Sequence, residues 1–269
     1  MKIASCFFRL AAALTLAAAA VTAANVPARA EGASAAVTPC NAPSELIRLT
    51  NPLKRVAQRL AAGHSLTIVA IGSSSTAGAG ASSAAMTYPS RLEVELKTMF
   101  PDAAITVINS GVNGEESHDM LERFDRDVIA KNPDLVLWQV GSNAVLRDRP
   151  LTEANAPLRD GIKRLRDMGV DVVLMNPQYA PKVFTKHDVD GMVDLIHLTA
   201  KEANVDLFER FAVMRYWRLT EDIPFSTFIS PDELHMNDWG YGCIAKLMAS
   251  AIGEAASRST VTAKVRAPR

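Results

Sequence analysis

Five apolar runs alternate with helix-like stretches along most of this chain, and the alternation restricts the folds it can adopt. The runs are LTIVAI (66–71), AITVIN (104–109), DLVLWQVG (134–141), DVVLMNP (171–177) and VDLFE (205–209). They are short and rich in β-branched residues, which is typical of strands buried on both faces. Strands separated by helices predict an α/β protein, a three-layer α/β/α sandwich with a five-stranded parallel sheet.

The first thirty residues have the pattern of a secretory signal peptide. Lys2 and Arg9 flank the start, the apolar run LAAALTLAAAAVTAA follows, and ARA (28–30) fits a small-residue cleavage site. The apolar run is shorter than the roughly 18 residues that a membrane-spanning helix needs, and no later segment comes closer. We therefore expect an exported protein, periplasmic or secreted, with no integral membrane segment after cleavage.

The remaining chain divides into three parts. Residues 31–43 are small and nearly featureless and predict a disordered leader, 44–258 carry the predicted domain, and 259–269 form a basic tail. Without the signal, 26 of the 29 basic residues remain against 29 acidic ones, so the charge is slightly negative. This balance argues against a nucleic-acid partner, and we expect a monomer.

Two cysteines remain once the signal peptide is removed with Cys6. They are Cys40, in the predicted leader, and Cys243, in the last helical stretch. An oxidising compartment permits a disulfide between them. The alternative is a free Cys40 and a buried Cys243, and the sequence leaves both open.

Small and polar residues follow three of the predicted strands and precede the last helix. They are GSSSTAG (72–78), NSGVNGEE (109–116), GSNA (141–144) and SPDELHMNDWGY (230–241). A Gly/Ser-rich stretch is often a flexible linker. Here it follows a buried strand, and the carboxyl ends of parallel strands are where α/β proteins bind ligands. The position favours a turn that holds one reactive serine.

These four segments together resemble the SGNH hydrolase superfamily, the GDSL-type serine esterases. The family pattern is a Gly-Asp-Ser-x-Thr-x-Gly loop, a glycine, a Gly-x-Asn and an Asp-x-x-His, and the resemblance spans roughly residues 66 to 250. It implies a flavodoxin-like sheet and, by position, a catalytic set of Ser74, Asp232 and His235. It also implies an oxyanion hole formed by Ser74, Gly114 and Asn143. The family aspartate is replaced by Ser73, and the aspartate that usually follows the asparagine is Ala144.

The residue types fit the chemistry that the resemblance implies. A serine hydroxyl becomes a good nucleophile when an imidazole, here His235, removes its proton, and Asp232 would hold that imidazole in the useful tautomer. An oxyanion needs preorganised donors, which two backbone N–H groups and the Asn143 amide would supply.

A second Asp-x-x-His, DLIH (194–197), shows that this short motif alone is weak. It lies in an amphipathic helical stretch, where the spacing makes two residues neighbours on one helix surface. The DELH motif lies in a loop after Ser-Pro, so we expect Asp232 and His235, rather than Asp194 and His197, in the site.

The sequence thus predicts an exported serine esterase that works through an acyl-serine intermediate, without metal or cofactor. We expect a small-molecule or polysaccharide ester as substrate, with a short acyl group such as acetyl on a carbohydrate. A lipid, thioester or aryl esterase, or an acyltransferase with the same triad, is an alternative. The departures at Ser73 and Ala144 leave open a non-catalytic, carbohydrate-binding relic of the fold.

Overall fold

Five parallel strands form one sheet: β1 Leu66–Gly72, β2 Ile105–Gly111, β3 Leu135–Gln139, β4 Asp171–Met175 and β5 Asp206–Phe208. Their order is β2-β1-β3-β4-β5, and every neighbouring pair is parallel. The predicted fold class is confirmed. β2 lies on one side of β1, and β3, which follows β2 in the chain, lies on the other side. The direction in which strands are added to the sheet therefore reverses between β1 and β3. Ligands of such sheets bind at this reversal, outside the carboxyl ends of the strands.

The structure is a computed structural model that describes residues 38–266, with side-chain burial described as far as residue 258. The predicted signal peptide and most of the predicted leader lie outside the described residues. The helices are α1 Ser44–Ile47, α2 Lys54–Ala61, α3 Ser74–Ala77, α4 Tyr88–Met99, α5 Ser117–Glu122, α6 Phe124–Asp127, α7 Ser142–Leu146, α8 Leu151–Asp167, α9 Pro181–Phe184, α10 Val189–Ala203, α11 Arg210–Leu219, α12 Phe225–Phe228 and α13 Asp238–Arg266. No helix among the described residues combines the length and apolar character that a membrane crossing requires.

Helices cover the sheet in two groups. Helices α2, α4 and α13 pack together, and so do α5, α8 and α10. Right-handed crossovers that run in opposite directions from β1 place the two groups on opposite faces. The central strands are accordingly buried, including every residue of β3. Trp138 of β3 packs against Phe124 and fits over α8 because position 161 is glycine: a Cβ there would lie 2.3 Å from the indole ring.

One of the helix-like stretches between the apolar runs, residues 117–132, is not a single helix in the structure. It divides into α5, α6 and a short 3-10 helix, Ile129–Lys131. The break falls at Arg123, whose side chain is 8 % exposed and forms an ion pair with Glu115. The backbone conformation at Arg123 departs from helical values and separates α5 from α6. The last helix, by contrast, continues to Arg266, through most of the segment predicted as a tail.

Two carboxylates, one partly buried (Asp171) and one buried (Asp206), occupy the opposite edge of the sheet, where the strands begin. Asp171 accepts a hydrogen bond from the backbone N–H of Val56 at 3.0 Å, and Asp206 accepts one from Asn51 at 2.9 Å. Burial raises the pKa of Asp171 to about 6, although the backbone hydrogen bonds lower it. These groups bind the segment around the start of α2 to the sheet, so this edge has a structural role.

The segment before α1 is attached to the last helix. Cys40 and Cys243 form a disulfide with their Cα atoms 5.5 Å apart, and Trp217 Nε1 donates to the carbonyl oxygen of Asn41 at 2.9 Å. Residues 40–43, expected as the end of a disordered leader, are therefore part of the folded domain.

We expect the disulfide to contribute substantially to stability because it closes a loop across 203 positions. Replacing both Cys40 and Cys243 by alanine should lower the free energy of unfolding by about 2–5 kcal/mol. Urea unfolding of the chain from residue 31 measures the change, and reduced wild-type protein should match the double variant. Two titratable thiols in the unfolded, unreduced wild type would contradict the bridge.

Candidate active site

Ser74 lies at the turn between β1 and α3. The chain leaves the strand at Gly72 and begins α3 at Ser74. A side chain at Gly72 would place a Cβ 2.2 Å from Thr76 Oγ1 and 2.8 Å from Gln139 Oε1, so only glycine fits there. Gly78 ends α3 with a φ of 104°, in the left-handed region that favours glycine. The tight turn leaves Ser74 half-buried at the carboxyl end of the central strand.

His235 and Asp232 lie in a loop that closes on itself between α12 and α13. Ile229 and Met236 form an antiparallel bridge at its base. The Ser230 backbone N–H donates to the carbonyl oxygen of His235 at 2.8 Å. We call residues 230–236 the histidine loop.

The three predicted catalytic side chains form a continuous hydrogen-bonded chain. His235 Nε2 lies 2.8 Å from Ser74 Oγ, and His235 Nδ1 lies 2.5 Å from Asp232 Oδ2. The histidine can therefore exchange a proton with the serine while its other nitrogen is oriented by the carboxylate, which is the geometry that nucleophilic catalysis by serine requires.

The Asp232 carboxylate is strongly stabilised in its charged form. Partial burial raises its pKa, but hydrogen bonds from Ser230 Oγ, from His235 and from the Leu234 N–H outweigh burial and hold the pKa well below its usual range. Ser230 Oγ donates at 2.6 Å and the His235 backbone N–H at 2.9 Å, both to Oδ1. Asp232 thus stays an anion that can stabilise a protonated histidine.

Several contacts join the turn after α3 to the region around the histidine loop. Tyr241 Oη donates to the carbonyl oxygen of Ala79 at 2.6 Å, and Asp238 accepts from the Ser82 N–H at 2.8 Å. Gly80, at φ 88°, lies so close that a Cβ would be 2.5 Å from the Met236 carbonyl oxygen. These contacts bring two segments together that are far apart in sequence.

Gly114 and Asn143 lie beyond the ends of the two strands that flank β1. Asn143 Nδ2 donates to the carbonyl oxygen of Glu115 at 2.8 Å, which joins α7 to the loop after β2. Gly114 has a φ of 82°, and its carbonyl oxygen accepts from Arg147 Nη2 at 2.8 Å. An amide nitrogen carries two hydrogens, so Asn143 can still donate to a further acceptor. Their role as oxyanion donors stays a prediction.

Arg123 braces the loop that carries Gly114, and sequence reasoning missed it. Its guanidinium bonds both carboxylate oxygens of Glu115, at 2.9 and 2.8 Å from Nε, and donates to the Ser110 carbonyl oxygen at 2.9 Å. Arg123 lies inside a helix-like stretch of the sequence, where an arginine is expected to face solvent, so the sequence did not indicate its contact with Glu115.

A buried polar layer beneath Ser74 was also missed. Gln139 Oε1 accepts from the Ser73 N–H at 2.9 Å and from Ser73 Oγ at 3.0 Å. Gln178 and Arg210 continue this layer under the sheet edge, with Arg210 Nη2 donating to Gln178 Oε1 at 2.9 Å. Gln139 is the last residue of β3, and Gln178 and Arg210 follow the ends of β4 and β5. Their position at the carboxyl edge of the sheet was the sequence signal that could have identified them.

The second Asp-x-x-His lies elsewhere, on α10. His197 is 56 % exposed and pairs through Nδ1 with Glu209 Oε1 at 2.8 Å. The structure thus brings His235, and not His197, to Ser74.

A polar cleft of about 680 Å³ opens beside Gly114. Charged side chains line it, among them Asp119, Arg126 and Arg147. Within residues 38–266 no three His, Cys, Asp or Glu side chains lie close enough to share a metal ion.

We expect Gly80→Ala to destabilise the fold more than Gly63→Ala. Both glycines have positive φ, but a Cβ at Gly63 meets nothing within 4 Å, whereas at Gly80 it would strike the Met236 carbonyl oxygen. Gly63→Ala should cost about 1 kcal/mol of backbone strain, and Gly80→Ala should lower the midpoint of thermal unfolding further. Equal midpoints would contradict the close approach at Gly80.

Comparison with known proteins places the chain in a group of esterase-like folds. The model of the non-GDSL lipase-like family matches residues 39–258. Among solved structures, a two-domain esterase active on acetylated mannans, co-crystallised with mannopentaose, superposes with a TM-score of 0.67 at 21 % identity, covering 79 % of this chain and 57 % of that one. At this identity the likeness concerns the fold.

Two curated relatives share parts of the sequence. An acetylxylan esterase of Geobacillus stearothermophilus is 33 % identical over 94 residues, 31 % of this chain and 43 % of that protein. An arylesterase of Vibrio mimicus is 28 % identical over 130 residues, 46 % of this chain and 64 % of that protein. The matched segments thus span less than two thirds of either relative.

Proposed function

Since this chain belongs to the non-GDSL lipase-like family, within the SGNH hydrolase superfamily, we propose that it hydrolyses carboxylic esters through an acyl-serine intermediate. The observation that carries the proposal is the contact between His235 Nε2 and Ser74 Oγ at 2.8 Å, with Asp232 on the opposite side of the imidazole. The esterase names of the two relatives support the same reaction. This contact also favours an enzyme over a non-catalytic relic, because the serine has its base within hydrogen-bonding distance.

In the proposed reaction Ser74 Oγ attacks the ester carbonyl carbon as its proton passes to His235 Nε2. The negative charge moves to the carbonyl oxygen, where the N–H groups of Ser74 and Gly114 and the Asn143 amide donate to it. The carbon–oxygen bond to the alcohol then breaks, and the protonated His235 returns the proton to the leaving alkoxide. Water, deprotonated by His235, then attacks the acyl carbon. The bond between that carbon and Ser74 Oγ breaks, and the protonated His235 returns the proton to Ser74 Oγ, which releases the acid and restores the enzyme.

The proposed substrate is a short acyl ester, such as acetyl, on a carbohydrate. The cleft beside Gly114 is lined by polar and charged side chains, which suits a hydroxyl-rich alcohol better than a long acyl chain. The relative acting as an acetylxylan esterase supports this choice, and the arylesterase relative supports aryl esters as a second candidate. The predicted signal peptide supports export to the periplasm or beyond.

The substrate class is tested with acetylated xylan or mannan oligosaccharides against a series of p-nitrophenyl esters. We expect kcat/KM to fall steeply from acetyl to longer acyl chains and acetate to be released from the oligosaccharides. Release from p-nitrophenyl acetate with none from the oligosaccharides would favour the aryl esterase instead.

The first test of the mechanism concerns the nucleophile. Ser74→Ala should lower kcat by roughly 10⁴-fold or more, because members of a triad act as a unit. Ser73→Ala and Ser75→Ala should remain within about tenfold of wild type. Mass spectrometry after rapid mixing with p-nitrophenyl acetate should find the acetyl group on Ser74. An inactive Ser73 or Ser75 variant beside an active Ser74→Ala would contradict the assignment.

The two Asp-x-x-His motifs supply a matched control for the base. His235→Ala should abolish turnover, because among the described residues no other imidazole is bonded to Ser74, while His197→Ala should leave kcat nearly unchanged. Both variants should keep the wild-type circular dichroism spectrum. The opposite pattern of activities would refute His235 as the base.

Asn143 provides a graded test of the oxyanion site. Asn143→Ala should lower kcat by about 10²–10³-fold, since it removes one preorganised donor. KM should change little, because the amide acts mainly where charge develops. Asn143→Asp should be at least as harmful, because a carboxylate would face both the Glu115 carbonyl oxygen and the oxyanion. Steady-state kinetics that resemble wild type in both variants would exclude Asn143 from the site.

A further inference from the structure

Gln178 lies buried between three of the four segments that carry the proposed catalytic groups, and it contacts all three; the fourth is the loop after β2 that carries Gly114. Its Oε1 accepts from Ser142 Oγ at 2.9 Å and lies 3.4 Å from Ser75 Oγ. Its Nε2 donates to the carbonyl oxygen of Leu234 at 3.2 Å. Each contacted residue is the chain neighbour of a proposed catalytic group: the nucleophile, the oxyanion asparagine or the histidine.

Arg210 fixes the orientation of the Gln178 amide. Its side chain is fully buried, and Nη2 donates to Gln178 Oε1 at 2.9 Å while Nε donates to the Asn176 carbonyl oxygen at 3.0 Å. Burial lowers the pKa of Arg210 to about 10, so it remains a cation at neutral pH. A guanidinium only donates. The amide oxygen must therefore face Arg210, which leaves the amide NH₂ for Leu234.

The other contacts around the site hold each loop internally or join two loops. The histidine loop is held by the bonds of Asp232, and the turn after β1 is held by Gln139. Tyr241 joins only the turn after α3 to α13. Among the side chains that the structure describes, Gln178 is the one that contacts the start of α7, the histidine loop and the turn after β1 at residues 72–78, which we call the nucleophile turn.

Building on the proposed function, we propose that Gln178 is a positioning residue for ester hydrolysis. Its amide, held by Arg210, fixes the position of the histidine loop relative to the nucleophile turn and to the start of α7. It does not touch the reacting atoms. Misplacing reacting groups by about 1 Å can cost roughly 10²-fold in rate, so this link should affect kcat more than binding.

The variant Gln178→Glu separates positioning from stability. The new carboxylate keeps acceptors for Ser142 and Arg210, and it forms a buried ion pair with the arginine. Its second oxygen, however, replaces the NH₂ group and faces the Leu234 carbonyl oxygen, so that link becomes repulsive.

We expect Gln178→Glu to unfold at a temperature equal to or above that of wild type, while its plateau kcat on p-nitrophenyl acetate falls by about 10–100-fold. KM should stay within about threefold of wild type. The plateau of the kcat–pH profile is the readout, because a new charge alone shifts the acid limb whereas a displaced histidine lowers the plateau.

Gln178→Met, which removes every hydrogen bond of this side chain, should show the same loss of kcat; if it does not fold, Gln178→Glu decides.

Thr199→Val is the control. Thr199 is fully buried on α10 and donates to Asn155 Oδ1 at 3.4 Å, so this variant should lose stability but not kcat. A plateau kcat for Gln178→Glu within about threefold of wild type, or a shifted acid limb with an unchanged plateau, would overturn the proposal. Failure of the proposed function would be seen separately, as absent turnover in wild type or retained turnover in Ser74→Ala.

Discussion

The hydrogen bond between His235 and Ser74 is the constraint on which the rest of this structure depends. It joins residues 161 positions apart and must hold to within a few tenths of an ångström. Helix α13 begins directly after the histidine loop and packs against α2 and α4 on one face of the sheet. The disulfide at Cys243 joins α13 to the segment before α1, and the close approach of Gly80 to Met236 joins the turn after α3 to the histidine loop. Much of the tertiary structure thus supports one contact.

The two edges of the sheet, where the strands begin and where they end, carry charged groups with different roles. At the start of the strands, carboxylates such as the partly buried Asp171 accept hydrogen bonds from the backbone and hold the segment around the start of α2. At the carboxyl ends, Asp232 is kept ionised by hydrogen bonds, and Arg210 is a buried cation below the site. The first arrangement stabilises the fold. The second prepares charge and donors where the proposed reaction develops negative charge.

The sequence predicted the sheet well, because buried parallel strands are marked by short apolar runs that depend little on distant residues. The resemblance of four segments to the SGNH hydrolase superfamily also implied that Ser74 and His235 would meet, and the structure brings the two side chains together. The sequence did not reveal Gln178 or Arg210, because the role of a buried polar side chain depends on its hydrogen-bond partners, and these come from distant parts of the sequence. The break at Arg123 was missed for the same reason: its carboxylate partner, Glu115, lies in a loop outside the helical pattern.

The serine at position 73, where the superfamily has an aspartate, fits the orientation of one neighbouring amide. Gln139 Oε1 accepts from the Ser73 N–H, from Ser73 Oγ and from Thr76 Oγ1 at 3.3 Å. A carboxylate at position 73 could only accept and would face that oxygen. Rotating the amide would satisfy the carboxylate but would turn Oε1 toward Ser142, whose hydroxyl accepts from Gln139 Nε2 and donates to Gln178. The departure at Ser73 therefore belongs to the polar layer beneath the nucleophile turn, and it leaves the contact between Ser74 and His235 intact.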